Sequence, residues 1–265
     1  MKEYTITKLH EHWSPGAIAG KWSRQHPEQS VTSEALYAWI YSNEGVKCGL
    51  PKLLPRAKPK RGHVHTRTSK STIPDRVSID RRPESINRRS ELGHLEGDLM
   101  FTRGSKSANI ATLVDRKSRF VMVIKNESKR SIEVIENMKQ LIEHYGAGSI
   151  TFDNGTEFTN HTSLTTEFSI PVYFCDPGAP WQKGSVENIN KMLRRFIPFE
   201  SDIASITNEK LAHIATILNN IPRKSLGFMT PAEVNEHFDQ IVIRGESRVK
   251  RACPAPEGFF NDVSI

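Results

Sequence analysis

The chain has 265 residues, a net charge of +7 and only three cysteines. That length admits one large domain or a smaller one with appendages, and an apolar fraction of 37 % fits a folded chain with some extended polar sequence. Three cysteines without a Cys-x-x-Cys pair disfavour a disulfide framework and a zinc ribbon. His10 and His12 likewise lack a cysteine pair at finger spacing. No apolar run is long enough to span a membrane or to form a signal-peptide core, so the expected location is the cytoplasm. The charge is uneven: between Pro51 and Ser90 twelve Lys and Arg face three acids, a local excess of +9 on a body of about −2. A basic segment on a nearly neutral body is a polyanion contact, for which nucleic acid is the commonest partner.

In chain order, residues 1–50 read as short helices. Ser14-Pro15 is a cap and first-turn proline, followed by Ala17, Ile18 and Trp22 at helical spacing; Thr32 or Ser33 caps a second helix bearing Leu36, Trp39 and Ile40. Two helices joined by a polar turn between Ser14 and Tyr41 make a helix-turn-helix candidate for DNA binding. Residues 51–90 show scattered Pro, Ser and Arg without a period and read as a basic linker, ordered on DNA, with Arg81, Arg82, Arg88 and Arg89 as phosphate contacts.

From Gly93 the pattern alternates between strands and helices. Leu95 to Phe101, Ile110 to Asp115 and Arg119 to Lys125 read as hairpin strands. Ile132, Ile135, Met138 and Ile142 mark the apolar face of a helix over 129–145, stopped by Gly146. Further strands follow at Ser149 to Asp153 and Pro171 to Phe174, with a short helix near Phe158 to Phe168 between them. Further helices are expected from Ser185 to Phe196, from Leu211 to Asn220 and from Thr230. Three hairpin strands followed by alternating helix and strand give a mixed α/β sheet with flanking helices, an order that resembles the ribonuclease-H-like fold, though periodicity alone does not choose it over other mixed sheets.

Three acids fall on three of these elements: Asp98 on the first strand, Asp153 at the end of the fourth, and Glu187 near the start of a helix. Converging carboxylates need a positive charge between them, since two charges about 4 Å apart repel by roughly 4 kcal/mol at an effective dielectric near 20. Hard oxygen ligands without thiolates or paired imidazoles point to Mg²⁺ or Mn²⁺, and so to phosphoryl transfer. Glu96 competes with Asp98, because alternation puts both on one strand face, and Glu157 is another acid close to Asp153. On the helix, Glu187, Asn190, Lys191 and Arg194 share a face that can hold an acid over a metal and continue with basic residues along a phosphate backbone. Lys183, just before the helix, suits a phosphate approach. In the Pro/Gly-rich loop ahead of it, Trp181 either stacks on a nucleotide or anchors the loop in the core, the second being favoured.

These segments resemble transposases of the insertion sequence 30 family, within the DDE transposases and retroviral-type integrases. The resemblance rests on Gly93-His94-Leu95-Glu96-Gly97-Asp98, Leu113 to Arg119, Asp153-Asn154-Gly155-Thr156-Glu157-Phe158, Pro180 to Asn188, Leu218 to Lys224 and Thr230-Pro231-Ala232-Glu233. Thirty-three residues separate Asp153 from Glu187, as in that family. The resemblance implies that Asp98, Asp153 and Glu187 are the catalytic metal ligands for two Mg²⁺ or Mn²⁺ ions. It further implies a nucleoid-associated homo-oligomer that cleaves and joins double-stranded DNA at element ends. It divides the chain into a helix-turn-helix-like segment (1–50), a basic linker (51–90), a catalytic core (91–240) and a tail (241–265). A catalytically inactive DNA-binding remnant and a nuclease of the same fold are the alternatives. The family usually has Trp where this chain has Leu95, and Thr-Asn-Glu-Asn where it has Ser185-Val186-Glu187-Asn188. Family members also carry another helix-turn-helix ahead of the point where this chain begins, which implies weaker discrimination of element ends here.

Overall fold

The computed structural model of the protein describes residues 1–54 and 73–236. The described residues divide into two compact units, 1–54 with 216–236 and 73–215. The expected tail and linker residues 55–72 lie outside the described residues.

In the first unit, helices begin where a side-chain oxygen can take up a first-turn N–H. After α1 (Lys2–His10) come α2 (Pro15–Gln25), α3 (Ser33–Ile40) and α4 (Asn43–Lys47). Ser14 Oγ accepts the Ala17 N–H at 3.2 Å and Thr32 Oγ1 that of Ala35 at 3.1 Å, caps worth about 1 kcal/mol each. Leu9, Ile18, Leu36 and Ile40 are buried, so α2 and α3 are the two helices expected between Ser14 and Tyr41, whereas α1 and α4 were not anticipated. Near the end of the described chain, Thr230 Oγ1 accepts the Glu233 N–H at 3.1 Å while Glu233 Oε2 accepts that of Thr230 at 2.7 Å. This reciprocal box opens the helical residues 231–236. Lys21 of α2 donates to the same Glu233 carboxylate at 2.5 Å.

The second unit differs from expectation at its start. Residues 73–90, read from sequence as linker, are folded: a one-turn 3-10 helix at Ile79–Arg81 and α5 (Glu84–Asn87) bury Ile79 and Ile86. Phe174 N–H donates to Val77 O at 2.9 Å, tying the segment to the sheet edge. Elements this short carry no periodic signal, and isolated apolar residues hold them.

The sheet has β1 (His94–Met100), β2 (Asn109–Asp115), β3 (Val121–Asn126), β4 (Ser149–Phe152) and β5 (Val172–Phe174) in the order β3-β2-β1-β4-β5. The first three are antiparallel, and β4 and β5 run parallel to β1. Helices α6 (Ser131–Tyr145), α7 (Thr162–Phe168), α8 (Gly184–Leu193) and α9 (Asn208–Asn219) complete the described elements, giving the ribonuclease-H-like mixed α/β fold. Alternation along β1 sends Leu95, Gly97 and Leu99 to one face and Glu96, Asp98 and Met100 to the other. The first face joins the main core with Ala111, Leu113, Phe152 and the α6 residues Val134, Ile135, Met138 and Ile142. A Cβ on Gly97 would lie 2.4 Å from the Phe152 ring, so this position admits no side chain. Ile132, expected on the apolar face of α6, is instead 67 % exposed; Val134 and Tyr145 complete that face. Gly146 closes α6 in the left-handed conformation, φ 69°, its N–H reaching Ile142 O at 3.0 Å. Helix α8 packs on β1 and β2, burying Val186, Ile189 and Leu193.

Candidate active site

Parallel pairing brings two of the three predicted acids together. Glu96 of β1 stands opposite Thr151 of β4, and two residues further along each strand come Asp98 and Asp153. Both carboxylates therefore emerge at the same edge of adjacent strands. Between them lies the Lys183 ammonium, 2.9 Å from Asp98 Oδ1 and 2.8 Å from Asp153 Oδ2. Burial alone would lower the Lys183 pKa, but Asp98 and Asp153 outweigh it and hold the ammonium above the usual lysine range. Burial raises the Asp98 carboxyl; Lys183 opposes that shift and repulsion from Asp153 adds to it, leaving Asp98 above its ordinary value.

Helix α8 supplies the other contacts. Asn190 Nδ2 donates to Asp98 Oδ2 at 2.7 Å, and Asn190 Oδ1 is buried with no hydrogen-bond partner among the described residues. Glu187, one turn earlier, pairs with Lys191 at 2.7 Å and is about half exposed (51 %). The structure thus joins Asp98 to Asp153 through Lys183 and leaves Glu187 on the neighbouring helix. Among the described residues no three His, Cys, Asp or Glu side chains are grouped to hold a metal ion. Asp98 and Asp153 nevertheless offer carboxylate oxygens around a point already occupied by a cation, the hard donors that suit Mg²⁺ or Mn²⁺.

The competing acids have their own places. Glu96 is fully buried and accepts from Arg116 Nη1 at 2.5 Å, Ser185 N–H at 2.9 Å and Val186 N–H at 3.1 Å. Its charge is matched by a guanidinium and by the amino-terminal turn of α8, where anions are favoured. Glu157, in a 3-10 turn just after Asp153, has its pKa raised by burial first; a bond to its own backbone opposes that, and repulsion from Asp153 and Asp98 adds to it.

The basic residues divide. Lys183 is spent on the two aspartates and Lys191 on Glu187. Arg194 donates to Phe101 O and lies over the Phe199 ring. Arg82, expected to meet phosphate, is only 8 % exposed and donates to Asn87 Oδ1 and to Thr151 Oγ1. Arg81, Arg88 and Arg89 are exposed, Arg88 pairing with Glu84 at 3.1 Å. Trp181 is 76 % exposed, so it does not anchor its loop in the core. Sequence reasoning had no signal for Asn190 as an Asp98 partner beyond its position one turn after Glu187.

No helix among the described residues is long and apolar enough to cross a membrane. A family model described as the integrase core domain matches residues 88–180, which hold all five strands and both aspartates. The chain is 34 % identical over 248 residues to the transposase InsI for insertion sequence element IS30A of Escherichia coli, an alignment covering 89 % of this chain and 64 % of that protein. It is 35 % identical over 252 residues to the transposase for insertion sequence element IS4351 of Bacteroides fragilis, covering 91 % and 74 %. To the transposase for insertion sequence element IS1086 of Cupriavidus metallidurans it is 34 % identical over 235 residues, covering 85 % and 69 %. The chain spans about 64 % of the length of the first of these relatives. With this identity over most of its length and the acid pair on the matched strands, the chain belongs to the insertion sequence 30 family of transposases.

Proposed function

We propose that the chain is a DDE-type transposase that cleaves double-stranded DNA at insertion sequence ends and joins the ends to target DNA, acting as a homo-oligomer. The observation that carries this reading is the Lys183 ammonium between Asp98 and Asp153, which marks a cation position at the edge of β1 and β4. Asp98 and Asp153 would hold divalent ions, Mg²⁺ or Mn²⁺ and two in number, with Glu187 completing the set. When bound, such ions activate a water or a DNA 3′-hydroxyl and stabilise the leaving oxygen of an in-line displacement.

The chain's own residues arrange this chemistry. Glu187 reaches the site by giving up its pair with Lys191, an exposed i,i+4 contact of the kind worth only about 0.3–0.5 kcal/mol. Asn190 orients Asp98 through its Nδ2–H. Lys183, once displaced from the carboxylates, remains at the mouth of the site as a cation for a DNA phosphate. Trp181 offers an exposed ring against the same strand, and α2 with α3 serves as a helix-turn-helix reader of the element ends.

Incubating the chain with labelled element ends and Mn²⁺ tests the reading. Joined products are expected. Hydrolysis without joining would make it a nuclease of this fold, and binding without nicking a DNA-binding remnant.

A further inference from the structure

The turn joining β2 to β3 is stitched to the segment after α5. Arg116 Nε donates to Ile86 O at 3.3 Å and Lys117 Nζ to Ser90 O at 2.6 Å. Asp115 holds the turn, its Oδ1 accepting the N–H groups of Lys117 at 2.9 Å and Ser118 at 2.7 Å, and its Oδ2 that of Gly93 at 2.7 Å. These bonds hold the turn that carries Lys117 and Arg119 against the segment that carries Arg89.

Nearby carboxylates are already engaged. Glu96 is buried on Arg116 and α8, Asp115 on the turn backbone, Glu84 on Arg88, and Glu91 on His94. Among the described residues no carboxylate lies within ion-pair distance of Arg89, Lys117 or Arg119. The grouping is costly in isolation. Burial, and then repulsion from Arg89, lowers Arg119 to about 10; burial lowers Arg116 too, with Glu96 opposing that shift and Arg89 adding to it. Arg89 and Arg119 both sit at positive φ, 57° and 62°, a conformation that side chains seldom adopt. Glu96 and Asp115 offset part of the charge on Arg119 but are committed to Arg116, α8 and the turn backbone, which leaves positive charge here for an external anion. Arg119 Nη1 also donates to Ser185 Oγ on α8, so the patch adjoins the helix that carries Glu187.

We propose that Arg89, Lys117 and Arg119 form a clamp for the phosphodiester backbone of DNA, separate from the acid pair and indifferent to base sequence. This inference rests on the DNA-processing reading above. Phosphate contacts position a duplex without reading it, so the clamp would hold the strand that α8 presents to Asp98 and Asp153.

The test is binding of the full chain to labelled random-sequence duplex across a salt series, without divalent metal. Each lost phosphate contact lowers the slope of log affinity against log salt by about 0.9. Arg89→Gln, at a side chain that makes no ion pair among the described residues, and Arg89→Gln with Lys117→Gln are expected to lower the slope in steps and to weaken element-end and random DNA alike. Arg119→Lys, which keeps the charge, is expected to keep the slope. If the native chain binds and the double variant retains the native slope, the clamp is overturned while the DNA reading stands. If the native chain shows no salt-dependent duplex binding, both are overturned.

Discussion

Glu96 Oε2 accepts the backbone N–H of Ser185 at 2.9 Å, so the strand that carries Asp98 also fixes the first turn of the helix that carries Glu187. The same carboxylate balances Arg116 at 2.5 Å in a fully buried setting. Removing one member of a buried pair leaves the other charge uncompensated, at a cost of about 3–5 kcal/mol. Glu96→Gln is therefore expected to lose about that much stability in denaturant unfolding, and combining it with Arg116→Met to recover part of the loss. A single variant within about 1 kcal/mol of the native chain would show that the pair is not what anchors α8.

A divalent ion held by Asp98 and Asp153 would compete with Lys183 for the two carboxylate oxygens that accept its ammonium. Replacing Lys183 with Met removes the competitor and leaves Asp98 and Asp153 to repel one another. A ligand that binds only the folded state raises stability in proportion to its affinity. Mn²⁺ is thus expected to raise the melting temperature of Lys183→Met more than that of the native chain, as measured by a thermal shift titration. Equal shifts in both proteins would mean that the ammonium does not occupy the ion's position.

Glu157 gives a pH-dependent test. Its carboxyl is raised by burial first and by repulsion from Asp153 and Asp98, with Lys183 opposing. A carboxyl whose folded pKa lies above its unfolded value contributes stability below the unfolded pKa and loses it as pH rises through the folded one. Glu157→Gln is accordingly expected to raise the melting temperature at neutral pH, with the difference vanishing below about pH 4, where the acid is protonated in both states. A destabilised variant at neutral pH would instead show that the charged form of Glu157 is stabilised by the fold.

The sheet was legible in the sequence because alternating apolar residues such as Leu95, Leu113 and Ile150 must face one core, and Asp98 and Asp153 were legible as acids ending such runs. Other features were not. Ile132 fits the helical period as well as Val134 does, and only the path of α6 over the sheet decides which is buried. Arg82 and Lys183 read as surface charge because their partners, Thr151 and the two aspartates, lie far away in sequence. The separate roles of Glu96 and Asp98 were hidden for a related reason: both face α8, but only Glu96 meets its amino-terminal N–H groups.

In the proposed reaction Asp98, Asp153 and Glu187 would act as one catalytic unit. Members of such a unit are strongly non-additive, so losing one costs nearly as much as losing all. The most direct measurement is strand cleavage and joining of labelled element ends in Mn²⁺ by Asp98→Asn, Asp153→Asn and Glu187→Gln, with folding followed by circular dichroism. Each variant is expected to fold and to lose activity by about as much as the triple variant. Near-native activity in folded Glu187→Gln would contradict the account, leaving the Asp98 and Asp153 pair without its third acid.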